Sequence, residues 1–195
     1  MRPLVIALCI FALVGGSNAA EITGELREWH TLTLTFDGPK SGEERSPNPF
    51  VDYRMTVWFI HEETTQRYEV PGFFAADGDA AETSATEGNK WRARFSPPLT
   101  GRWTYKAELR NGDKLVPFEK PSGEFTIAQS NKQGRDFRFH GHLRYVGERY
   151  LQFAGSKKYF LKAGTDSPET LLGYHDFDGT WRDLEKHPVL SLIHI

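Results

Sequence analysis

An immunoglobulin-like antiparallel β-sandwich is the fold class predicted for most of this chain, on three observations. Apolar and polar residues alternate with period two between Glu28 and Ile127. Gly, Pro and Asn punctuate that alternation at short intervals, as in a fold of many short strands. No convincing amphipathic helix interrupts the series.

The first element is an export signal. Met1 to Ala19 carries one basic residue, Arg2, then an apolar run from Leu4 to Val14, then the small residues Ser17 and Ala19 before an expected cleavage. That run is shorter than the roughly 20 residues a membrane span needs, and nothing later in the chain approaches such a length. The mature protein is therefore expected to be exported, periplasmic or extracellular, with no membrane span. The single cysteine, Cys9, lies inside this segment, so the mature chain has no thiol and no inter-sheet disulfide. Lys and Arg number 24 against 26 Asp and Glu. Loss of Arg2 moves the net charge from −2 to about −3, which gives no electrostatic footprint for nucleic acid.

The strands come next. Leu32, Leu34 and Phe36 share one face of a strand and Thr31, Thr33 and Thr35 the other. After the turn-rich Ser46-Pro47-Asn48-Pro49, Tyr53, Met55, Val57 and Phe59 alternate with Arg54, Thr56 and Trp58. Trp91, Ala93 and Phe95 alternate with Arg92 and Arg94, and beyond Pro97-Pro98 and Gly101 the residues Trp103, Tyr105, Ala107 and Leu109 form the next apolar face. These last two runs read as strands joined by a tight connection. Asn111-Gly112 signals a turn, and Phe125 with Ile127 closes the series. Trp91 and Trp103 are read as inward core residues.

The stretch from Tyr68 to Tyr105, YEVPGFFAADGDAAETSATEGNKWRARFSPPLTGRWTY, with PNPFVDYRMTVWF upstream, resembles a secreted bacterial β-sandwich family, domain of unknown function 5060. The resemblance extends over most of Glu25 to Ile127. It implies a sandwich placed ahead of a glycoside-hydrolase-like (β/α)8 barrel, hence a polysaccharide-degrading context in which the partner is a polysaccharide or that C-terminal barrel.

The rest of the chain agrees with such an order. Arg144 to Phe153 reads as a hairpin and Tyr159 to Ala163 as a buried strand; Ser167, Pro168 and Glu169 then suit the cap and first turn of a helix. The expected organisation is a signal peptide over 1–19, the sandwich over 20–129, a linker and the first strand–helix elements of a truncated barrel over 130–189, and a non-native tail over 190–195 that resembles translated adaptor sequence.

GTDSPETLLGYHDFDGTW resembles the family's first barrel loop, so Asp166, Glu169, Tyr174, His175, Asp176, Asp178 and Trp181 are candidates for one side of a sugar site. Helix capping by Asp166 and Glu169 and a solvated turn at Asp176 and Asp178 account for the same carboxylates without any sugar. Glycoside hydrolysis takes two carboxyl groups roughly 5–5.5 Å apart for retention or 6.5–9.5 Å for inversion, and no such pair is marked by the sequence. A barrel needs about 250 residues, so catalytic residues are expected beyond Ile195 and the chain alone is expected to be inactive.

No cofactor and no metal are expected. Asp77-Gly78-Asp79 with Glu82 lacks the spacing of a calcium loop and reads as a solvated turn; His140-Gly141-His142 would place two imidazoles on one strand face but lacks a third ligand. Phe73 and Phe74 are adjacent, so their rings must point apart; core or interdomain packing is the favoured reading, and an exposed ring that stacks on a sugar or on the following barrel is the alternative. The leading reading is a non-catalytic accessory domain that supports or orients a barrel; the alternatives are a carbohydrate-binding module and a structural or adhesive domain.

Overall fold

The computed structural model describes residues 20–161. Two antiparallel sheets face each other. The first contains β1 (Glu21–Thr23), β2 (Leu32–Gly42), β6 (Glu87–Phe95) and β5 (Phe73–Phe74), in that order across the sheet. The second runs β4 (Arg67–Pro71), β3 (Tyr53–His61), β7 (Gly101–Asn111), and then β8 (Lys114–Val116) and β9 (Ser122–Ile127), which pair with opposite ends of β7. A four-residue helical turn, α1 (Ala80–Thr83), lies between β5 and β6. This is the strand order of an immunoglobulin-like sandwich with an extra strand on the second sheet.

Alternation dictates the core. In β2 and β6 the facing pairs Leu32 with Phe95, Leu34 with Ala93 and Phe36 with Trp91 all point inward. In β3 and β7 the inward pairs are Met55 with Leu109, Val57 with Ala107 and Phe59 with Tyr105. The two layers meet through aromatic contacts, with the Phe59 and Phe95 rings stacked at 4.2 Å.

The runs at 91–95 and 103–109 are joined by a short connection, as expected, but they do not pair with each other. β6 belongs to the first sheet and β7 to the second, so Ser96 to Thr100 crosses the sandwich. Pro97 is fully buried in that crossing. Its carbonyl and those of its neighbours serve as acceptors: Trp29 N–H donates to Pro97 O at 2.9 Å and Trp103 Nε1–H to Leu99 O at 3.1 Å. The other buried indole, Trp91, donates to Pro39 O at 3.3 Å, within an irregular step of β2 between Asp37 and Ser41. Both buried indole N–H groups thus meet a carbonyl released by an interruption of the ladder.

His61 closes the same end of the core. Its Nε2 lies 2.8 Å from the Thr100 carbonyl, which can only accept, so Nε2 carries the proton and Nδ1 accepts from Thr64.

Tyr105 is buried, and its hydroxyl accepts the Ala20 N–H at 2.7 Å. Burial pushes the phenol up, opposed by the hydrogen bond from Ala20. Stability from this group is complete below the unfolded phenol's value of about 10 and is lost as pH rises through the folded value. A tyrosinate absorbance titration should therefore show one tyrosine ionising above the free phenol and returning to it on denaturation; a titration matching the unfolded chain throughout would refute this.

Beyond the sandwich lie α2 (Phe137–His140) and a two-residue hairpin, β10 (Leu143–Arg144) with β11 (Gln152–Phe153), within the stretch that reads as a hairpin in the sequence. The expectation of a buried strand at Tyr159 to Ala163 is corrected within its described part. Tyr159 forms only an isolated bridge to Gln152, and Tyr159 and Leu161 are exposed. Only Phe160 turns inward, onto Phe137 and Phe153. Ala163 and the helix start at 167–169 lie outside the described residues. No helix among the described residues is long and apolar enough to cross a membrane.

Candidate functional site

All seven residues proposed for a sugar site, Asp166, Glu169, Tyr174, His175, Asp176, Asp178 and Trp181, lie outside the described residues. The other sequence candidates can be placed. Phe74 is buried against Trp91 at 5.3 Å, whereas Phe73 faces outward beneath the Arg94 guanidinium at 5.4 Å, so the two rings do point apart.

Asp77 and Asp79 sit in an exposed turn before α1. The Asp77 carboxylate accepts from Asp79 N–H and the Thr83 hydroxyl, both at 2.8 Å, and these bonds, in that order of weight, hold it below the usual carboxylate range. The acid cluster folds its own loop. No group of three or more His, Cys, Asp or Glu able to hold a metal occurs among the described residues.

His140 and His142 lie in the segment after the sandwich and share no strand face. His140 ends α2 and its Nδ1 meets the Ser156 hydroxyl at 3.0 Å, while His142 comes after Gly141 and packs edge-on against Trp29 at 5.0 Å. Burial pushes the His142 imidazole down. The α2 turn and its Gly141 exit break the period-two geometry that a shared strand face requires.

These residues form the structural feature the sequence did not disclose, a packed junction between the sandwich and the segment after it. Trp29 adopts a left-handed backbone at φ 66, uncommon for so bulky a residue and costing on the order of 1–3 kcal/mol. Its ring is aimed at Gly141, where an added Cβ would lie 3.1 Å from the indole and 2.7 Å from Gly155 N. Backbone bonds from Glu28 N–H to Ala128 O at 2.8 Å and from Ala128 N–H to Leu26 O at 2.9 Å bind the residue after β9 to the segment between β1 and β2. Glu25 lies 3.4 Å from the Lys132 ammonium and 3.8 Å from the Arg138 guanidinium. Asp136 caps α2 by accepting from Arg138 N–H at 2.9 Å, and the Arg138 guanidinium, ahead of that bond, holds its carboxyl far below the usual range.

Past this junction the surface changes character. Eight of the thirteen exposed large apolar residues among those described fall within 137–161, including Phe137, Tyr145, Tyr159 and Leu161, although that segment is a small share of the chain. Its own core is slight: Phe137, Phe153 and Phe160 lie with ring centroids 5.7–6.3 Å apart. Among the described residues, exposed apolar side chains are thus concentrated in this segment.

Residues 25–110 match the family model described as a domain of unknown function, DUF5060. A solved structure from Bacteroides vulgatus ATCC 8482, provisionally described as a glycoside hydrolase, is similar at 26% identity with a TM-score of 0.45; the match covers 69% of this chain and 21% of that one. The chain thus spans about a fifth of that protein's length. No curated protein matches the chain.

Proposed function

We propose that this chain, which carries the DUF5060 sandwich over residues 25–110, is the exported, non-catalytic accessory part of a polysaccharide-degrading protein, in which the sandwich supports and orients a (β/α)8 barrel. The junction carries this reading. A strained Trp29, a close-packed Gly141 and the Glu25 ion pairs fix the 137–161 segment to the sandwich, and that segment presents its apolar side chains outward. A flexible tether would need none of these contacts, and a free-standing domain would gain nothing from the exposed rings. In this reading Asp166, Glu169, Tyr174, His175, Asp176, Asp178 and Trp181 contribute one side of a sugar site on the barrel's first loop. Export is supported by the pattern of Met1 to Ala19.

Hydrogen exchange tests the reading, comparing this chain with the full product of its source gene. Protection should rise across 137–161 in the gene product while the sandwich strands exchange alike in both. Identical exchange at 137–161, or a source gene that stops after Ile195, would sink it. So would release of reducing sugar from polysaccharides by this chain alone.

A further inference from the structure

We propose that the end of the sandwich remote from the junction holds a binding site for a pyranose ring of a neutral polysaccharide. A cleft of about 640 Å³ opens there, where β3 begins, β7 ends and the chain passes from β4 to β5. It is bordered by Phe50, Phe73, Asp52, Arg54, Arg110 and Asp113.

The Phe50 ring is held out in water by a hydrogen-bonded loop. Phe50 is 60% exposed and Phe73 39% exposed. The loop carrying Phe50 is fastened by its own polar groups: Asn48 N–H donates to Asp52 Oδ2 at 2.6 Å, Phe50 N–H to Asn48 Oδ1 at 2.9 Å and Gly112 N–H to Asp52 O at 3.1 Å. The Phe50 ring is further set edge-on to Phe74 at 6.1 Å. A loop organised to keep an aromatic ring in solvent is preorganised for a flat apolar ligand face, because the ordering cost is met before binding.

The polar lining selects among such ligands. Arg54 and Arg110 stand directly opposite each other across the β3–β7 ladder, an arrangement of like charges that destabilises a strand pair. Arg110 is engaged by Glu108 at 3.3 Å, but Arg54 is exposed and makes no hydrogen bond or ion pair among the described residues. Two guanidiniums are matched by two carboxylates, Asp52 and Asp113. An anion would meet those carboxylates, and an apolar peptide would desolvate four charges. Vicinal hydroxyls on a sugar ring both donate and accept, so they satisfy the mixed set while the ring's C–H face lies on Phe50.

The test is affinity gel electrophoresis of the whole chain in gels containing hydroxyethylcellulose, xylan or galactomannan, with polygalacturonate as the anionic control. At least one neutral polymer should retard the protein. Phe50→Ala and Arg54→Gln, both at exposed side chains, should each weaken that retardation about tenfold with unchanged thermal midpoints. No retardation by the three neutral polymers would overturn the proposal. Equal retardation of wild type and both variants would also overturn it, as would retardation by polygalacturonate alone. None of these results bears on hydrogen exchange at the junction.

Discussion

Replacing Trp103 with alanine should destabilise the sandwich by about 3–5 kcal/mol, most of the stability expected of a domain this size. Trp103 is fully buried, packs against His61 at 5.0 Å, Phe95 at 5.3 Å and Tyr68 at 5.8 Å, and donates its indole N–H to Leu99 O. Its loss removes the largest ring from one end of the core and leaves the Leu99 carbonyl without that donor. Trp58 is the control, since it sits on the outer face of the same sheet with Glu69 and Arg67 as neighbours. Trp58→Ala should cost no more than about 1 kcal/mol. Denaturant unfolding of both variants decides the matter, and comparable losses would contradict the assignment of inner and outer faces.

Gly88→Ala should be nearly as damaging, at about 3 kcal/mol, although it adds one methyl group. The backbone of Ala76 and Asp77 lies across β6 here, and an added Cβ would fall 1.9 Å from the Ala76 carbonyl oxygen and 2.5 Å from Asp77 N. No side-chain rotation relieves a collision with backbone. The bonds from Ala75 N–H to Lys90 O at 2.8 Å and from Lys90 N–H to Ala76 O at 2.9 Å would have to give. Gly112→Ala separates steric from conformational cost, because its φ is 56 yet no atom approaches within 4 Å of the added Cβ. About 1 kcal/mol is expected there. Equal losses at the two glycines would mean that the Ala76–Asp77 backbone gives way to the added methyl group and that the collision does not govern Gly88.

The sandwich was legible because its strands bury one face and leave the other to solvent. Period-two alternation identified Leu32 to Phe36, Tyr53 to Phe59, Trp91 to Phe95 and Trp103 to Leu109, and each inward residue named there is in the core except Tyr53, which packs at its edge. Alternation carries no record of pairing partners, which is why the crossing at Ser96 to Thr100 was invisible. The Pro97-Pro98 signal marked a break in the ladder without saying that the chain changes sheets there. The resemblance of 68–105 is matched by the family model over residues 25–110.

The junction escaped for another reason. A tryptophan at positive φ has no local sequence signal, and Tyr159 to Leu161 reads as a buried strand because composition reports apolarity without reporting what covers it. His140 and His142 share no strand face, since a helical turn ending at His140 undoes the spacing on which one depends.

Contact between Trp29 and Gly141 separates two properties that are usually tested together. Residue 141 belongs to none of the sheets and contributes nothing to the core between them. A side chain there would push the two segments apart and leave every strand of the sandwich in place. Such a change would leave the strand signal of a circular dichroism spectrum unaltered, yet it would reset the angle between the sandwich and the segment that follows it. At this position selection would act on aim, and an assay of folding would be blind to what had been lost.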